Sequence, residues 1–168
     1  MRFFSAAVAI LASVGLAAAN TVSFWTLDNT PRTVYFTPNT PSMGSIDPVR
    51  CTNGAQTQVT FPPGWTGNFY AIPDGQANEP GMLGEVNFNG WNGLTYFDVS
   101  GIVKADDTNN VQQMWPVGQV KPMSGCNPFP CNNAYWHPDD LQTKVTSATD
   151  LMCTLGKGSP GINFPDAQ

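Results

Sequence analysis

Glu85 and Asp98 are the two carboxylates of this 168-residue chain best placed to do acid–base chemistry together. Between them lies Asn92-Gly93, a dipeptide that accepts the positive φ of a two-residue type I′ hairpin turn. With that turn, Phe88 faces Phe97 and Val86 faces Val99 on one apolar face, while Asn87 falls opposite Asp98 and Glu85 opposite Ser100 on the other. Diagonal cross-strand neighbours lie roughly 7–8 Å apart, so Glu85 and Asp98 share a polar face with Asn87, Asn89 and Tyr96. An odd-length loop would send them to opposite faces. A polar sheet face is also what solvent alone would select. Two carboxyls about 5–5.5 Å apart suit a retaining glycosidase and about 6.5–9.5 Å an inverting one, which makes Glu85 and Asp98 the catalytic candidates. Asn87, Asn89, Tyr96 and Trp91 are the binding candidates beside them.

A second cluster is His137-Pro138-Asp139-Asp140. One His with two acids is a minimal hydrolytic set, in which a nuclease would use the imidazole as base. The plainer reading is a loop in which Pro138 opens a helical turn and the acids complement its N-terminus. No Ser-His-acid arrangement and no phosphate-cradling glycine loop stands out. Exposed tryptophans would stack on sugar rings, and Trp91, beside the turn, and Trp136, beside His137, are the ones expected outside the core.

The elements that must position these residues are short and β-rich. Gly and Pro are frequent (16 and 15 residues), charge is sparse, and helical periodicity is absent. Strands are expected over 20–27, 32–37, 56–61, 67–72, on both sides of Asn92-Gly93, and around 111–115. A helical turn is expected near 139–146. The fold class is therefore all-β and antiparallel, a sandwich or a barrel.

Residues 1–19 read as a signal peptide, with Arg2, an apolar run from Ala6 to Leu16, and Ala17-Ala18-Ala19 as the cleavage site. The run is shorter than the about 20 residues a membrane span needs. Residues 20–156 read as one domain and 157–168 as a loose C-terminal tail. Localisation is thus expected to be secreted and extracellular, with no membrane partner. Without Arg2 the chain has six basic against twelve acidic side chains, which disfavours nucleic acid as a partner. No cofactor or metal is expected, and a monomer is. The four cysteines, Cys51, Cys126, Cys131 and Cys153, suggest two disulfides in a secreted chain. Three pairings are open, including a local Cys126–Cys131 bridge made possible by the Pro128-Phe129-Pro130 insert. Zinc is the weaker reading, because the chain has a single His and no Cys-x2-Cys pair.

Two stretches resemble the thaumatin-like proteins. Leu83-Gly84-Glu85-Val86-Asn87-Phe88-Asn89-Gly90 with Leu94-Thr95-Tyr96-Phe97-Asp98-Val99-Ser100 is similar to that family's Leu-Ala-Glu-Phe…Asp-Phe-Tyr-Asp-Val-Ser signature, and Gly125-Cys126 with Cys131 to its Gly-Cys-x4-Cys segment. The resemblance implies a thaumatin-like β-sandwich with an acidic cleft at Glu85 and Asp98, and β-glucan binding or weak hydrolysis. It also implies that Cys126 and Cys131 bond elsewhere, which gives Cys126–Cys153 and Cys51–Cys131. The family's next acid falls on Val103, so binding of cell-wall polysaccharide without efficient catalysis is the favoured function. A glycoside hydrolase using Glu85 and Asp98 is the first alternative. The chain also resembles small secreted fungal proteins that share Gly-Met-Leu-Gly-Glu and Pro-Cys-Asn-Asn-Ala-Tyr and often bear a "DNase1 protein" label, which makes a nuclease using His137, Asp139 and Asp140 the second.

Overall fold

The computed structural model describes residues 19–165; most of the expected signal peptide lies outside them. Two sheets face each other as a β-sandwich. Five strands form the first in the order β4-β1-β11-β8-β9, and six form the second in the order β10-β7-β6-β5-β2-β3. The first sheet contains β1 (Asn20–Thr26), β4 (Gln56–Phe61), β8 (Val111–Pro116), β9 (Ser124–Gly125) and β11 (Asp150–Leu155). The second contains β2 (Arg32–Pro38), β3 (Val49–Cys51), β5 (Thr66–Pro73), β6 (Leu83–Asn87), β7 (Thr95–Ser100) and β10 (Lys144–Thr146). Every named pairing is antiparallel except β1 with β11.

The period-two pattern of the strands turns one face of each sheet inward. Val22, Phe24, Phe61, Phe69, Val86, Phe97, Val99, Met114, Leu151 and Leu155 are all buried in one core. Its rings meet edge to face, as in Phe24 with Phe69 at 5.0 Å and Phe61 with Trp65 at 4.9 Å, the geometry that aromatic quadrupoles favour. At one edge the sheets are tied directly: the Val99 backbone N–H of β7 donates to Ser124 Oγ of β9 at 3.0 Å. At another, Arg32 is wholly buried. Its Nη1 and Nη2 donate to the two Asp28 carboxylate oxygens, each at 2.7 Å, and its Nε donates to Asn110 Oδ1 at 3.0 Å. The Thr30 and Asn109 carbonyls accept its remaining donors, so the buried guanidinium is both paired and hydrogen-bonded.

Three expectations are corrected. Residues 139–146 hold no helix; Lys144–Thr146 is strand β10, paired with Phe97, Tyr96 and Thr95 of β7. Val145 and Thr146 are β-branched and lie against an open strand edge, and Asp140 ties a tight turn instead of capping a helix. The Asn92-Gly93 turn is not a two-residue hairpin. Both residues take positive φ, but they sit in a 3-10 turn over Trp91–Gly93. Phe88 has left the hairpin for the core, where its N–H donates to the Trp65 carbonyl. Pairing therefore starts at Asn87 with Tyr96 and brings Glu85 directly opposite Asp98. The register slips by two residues, so the faces are kept.

The third correction is the disulfides. Cys126 bonds Cys131, and Cys51 and Cys153 are buried free thiols. Cys153 sits in β11, in register with Phe24 of β1 and Met114 of β8, and β8 stands between it and β9, the strand that leads into Cys126. Residues 157–165, expected as a loose tail, form no strand. Phe164 nevertheless packs on Trp115 at 4.9 Å in a small second cluster with Met123 and Met152.

Candidate functional site

The outer face of the second sheet carries the polar rows that the strands turn away from the core. Asp98, Glu85, Asn68 and Thr37 form one row across β7, β6, β5 and β2, and Tyr96, Asn87 and Thr66 the next. Chain from the far side walls this face. The Tyr135 N–H donates to the Val99 carbonyl, and the Gly101 N–H to that of Tyr135. Tyr135 and Thr143 share a hydroxyl hydrogen bond of 2.8 Å, and Thr143 Oγ1 reaches Asp98 Oδ2 at 3.5 Å. The result is an open cleft of about 350 Å³ lined by Glu85, Asp98, Asn87, Tyr96, Thr66, Asn39, Tyr135, Thr143, Ile102 and Pro138, among others.

The wall buries Asp98 to 8 % exposure. Burial, then the charge of Glu85 and a hydrogen bond with it, push the Asp98 carboxyl up to about 8, against the opposing pull of the Thr143 hydroxyl and the Lys144 charge. With both carboxyls ionised, Asp98 Oδ1 is buried and no donor faces it. A protonated Asp98 would have a proton to donate toward Glu85, which faces it across the strand pair. At neutral pH the Asp98 carboxyl is therefore held in its protonated form beside Glu85, as burial and a like charge at close range require. Such a pair presents a donor and an acceptor side by side, with the Asn87 amide and the Thr66, Tyr96 and Tyr135 hydroxyls around it.

The binding candidates divide. Asn87 and Tyr96 line the cleft, Asn87 accepting from Thr66 Oγ1 at 2.9 Å. Trp91 stands 76 % exposed at the hairpin end, its carbonyl accepting from Tyr96 Oη at 3.2 Å. Asn89 is exposed with positive φ and shapes the turn rather than lining the cleft. Trp136, expected outside the core, is half-buried. Its Nε1 donates to the Cys131 carbonyl and its ring packs edge-on against Phe129. His137 and Asp139 are exposed. Asp140 Oδ2 accepts the backbone N–H groups of Trp136 and His137 at 2.7 and 2.8 Å, and these bonds hold its carboxyl below its ordinary range. Among the described residues no three His, Cys, Asp or Glu side chains gather as a metal site. Asn39, Tyr135 and Thr143 were not singled out from sequence. They reach the acid pair from distant segments, and no local motif marks them.

No family model matches the chain. The antigenic protein SchS21 of Stachybotrys chartarum is 57% identical over 143 residues, spanning 85% of this chain and 99% of that protein. Among solved structures, the protein elicitor MoHrip2 from Magnaporthe oryzae matches with a TM-score of 0.61 at 13% identity, over 82% of this chain and 99% of that one. This likeness concerns the fold alone, and MoHrip2 has a different fold from thaumatin. The thaumatin-like resemblance is thereby corrected: the shared signatures cover one hairpin and one cysteine loop, too little to specify the order of eleven strands.

Proposed function

The chain belongs to the family of the antigenic protein SchS21, and we propose that it is a secreted protein whose acid-pair cleft binds a neutral, hydroxyl-rich glycan of the β-glucan type without hydrolysing it efficiently. The observation that carries this reading is the buried Asp98 carboxyl, raised to about 8 and directly opposite Glu85, at the floor of an open cleft. A sugar hydroxyl both donates and accepts, and the pair offers the complement of each role with little reorganisation. The exposed Trp91 ring, on a residue whose backbone carbonyl accepts from Tyr96, supplies apolar area for the C–H face of a pyranose. The close approach of Asp98 and Glu85, which face each other across β7 and β6, speaks for binding over hydrolysis. A glycosidase pair stands about 5 Å apart or more, with the sugar or a water between.

An extracellular setting agrees with the names of the two similar proteins, an antigen and an elicitor, and with the pattern of residues 1–19. The nuclease alternative on His137, Asp139 and Asp140 has less behind it, because two backbone N–H groups already occupy an Asp140 oxygen.

Isothermal titration with soluble β-1,3-glucan oligosaccharides at pH 6 tests the proposal. The wild-type protein is expected to bind. Glu85→Gln removes the charged acceptor and should weaken binding by about tenfold or more. Above pH about 8, where Asp98 ionises, binding should decline. Loss of the glycan's polymer length over hours would convert the reading to a hydrolase. DNA cleavage abolished by His137→Ala, with no glycan bound, would replace it with a nuclease.

A further inference from the structure

Beyond the acid pair, the same sheet face continues across β5 and β2. Asn68 stands opposite Glu85, and Thr37 opposite Asn68. Two residues along these strands, Tyr70 pairs with Tyr35. Their rings stack at 5.6 Å between centroids with 19° between planes, and Tyr70 Oη donates to Asn78 Oδ1 at 3.1 Å. Both are half-buried, and both point to the face that carries Glu85. Tyr70 is a diagonal cross-strand neighbour of Glu85, which places the two residues roughly 7–8 Å apart. From β7 to β2 the row spans three interstrand steps, about 14 Å, which is longer than one sugar ring. The row positions between the acid pair and the tyrosines carry no charge: Asn68 and Thr37 supply an amide and a hydroxyl. Beyond β2, Arg50 of β3 is bonded to Asp74.

We propose that the stacked Tyr35–Tyr70 pair is an aromatic subsite continuous with the acid-pair cleft, so that the ligand is an extended glycan chain lying across β7, β6, β5 and β2 rather than a mono- or disaccharide. The proposal rests on the glycan reading of the cleft and deepens it. A cross-strand tyrosine pair also steadies a sheet without any ligand. The functional assignment comes from its position: a rigid aromatic platform at the end of a neutral polar strip that begins at the acid pair. Hydroxyls of one sugar unit bond the acid pair, Asn68 bonds the next, and an apolar ring face meets the tyrosines.

The test compares β-1,3-glucan oligosaccharides of two to six units by titration calorimetry. Wild-type affinity should rise with length. Tyr70→Leu keeps bulk but removes the ring, and should cost the hexamer about tenfold and flatten that rise. Tyr70→Phe, which keeps the ring and loses only the Asn78 bond, should restore it. Glu85→Gln should weaken every length alike, which separates failure of the subsite from failure of the cleft. In wild-type protein, hexamer addition should also shift the ring-proton resonances of Tyr35 and Tyr70, a readout that needs no variant to fold. Equal affinity for dimer and hexamer, with those resonances unmoved, overturns the subsite while leaving the cleft in place. Absence of any glucan binding overturns both.

Discussion

Replacing Asp98 by Asn should stabilise the protein at neutral pH, the reverse of what deleting a buried hydrogen-bonded acid ordinarily does. Asp98 is raised from 3.8 to about 8 in the folded chain. Between those pH values the folded protein holds a proton that the unfolded chain has released. Stability is then greatest at and below pH about 4, falls as pH rises, and levels off above about 8. Each unit of displacement is worth about 1.4 kcal/mol, so the linkage reaches an upper limit of about 6 kcal/mol at pH 8 and about 4 kcal/mol at pH 7. Asn keeps the side chain's shape, its amide N–H donates to Glu85 in place of the acid proton, and it does not titrate. The difference between the two proteins isolates this one site, because other titrating groups cancel. Melting temperatures measured from pH 4 to pH 9 should coincide near pH 4 and diverge in favour of Asp98→Asn as pH rises. For a chain of this size each kcal/mol corresponds to about 2–4 °C, so even half the limit at pH 7 gives about 4–8 °C. A difference that does not change with pH would refute the raised Asp98 carboxyl and, with it, the chemistry assigned to the cleft.

Arg32→Lys should not rescue Arg32→Met, since only the guanidinium fork meets Asp28, Asn110 and two carbonyls at once; chemical denaturation should show a loss of about 3–5 kcal/mol for Arg32→Met. Gly84→Ala drives a Cβ into the Phe69 ring, and this overpacking should cost about 1–3 kcal/mol without touching the acid pair. Non-reducing peptide mapping should recover Cys126 linked to Cys131. Cys51 and Cys153 should react with maleimide only after denaturation, because burial raises both thiols and shields them. Opening the short 126–131 loop by Cys131→Ser should cost about 2 kcal/mol on the chain-entropy model.

The class of the fold was written in local pattern. Alternating runs such as Gln56–Phe61 declare a strand with one wet face, and the observed strand has the same limits. The common face of Glu85 and Asp98 was also legible, because side-chain parity survives an error of two residues in register. The distance between them was not. Whether they stand diagonally or directly opposite depends on where Phe88 goes, and Phe88 is drawn off the hairpin by Phe61 and the Trp65 carbonyl, contacts made far along the chain. Strand β11 was missed because a central strand is buried on both faces and shows no alternation. Strand β10 was read as a helical turn because three residues gain strand form only from the edge they join. The cysteine pairing likewise followed from which strands surround Cys153, not from spacing. Composition and periodicity determined that this chain makes sheets and which residues face water. Only the packed structure decided that Thr143 and Tyr135 close over Asp98: the burial that raises its carboxyl most is completed by segments that sequence order keeps apart, whereas the like charge that adds to it stands on the facing strand at Glu85.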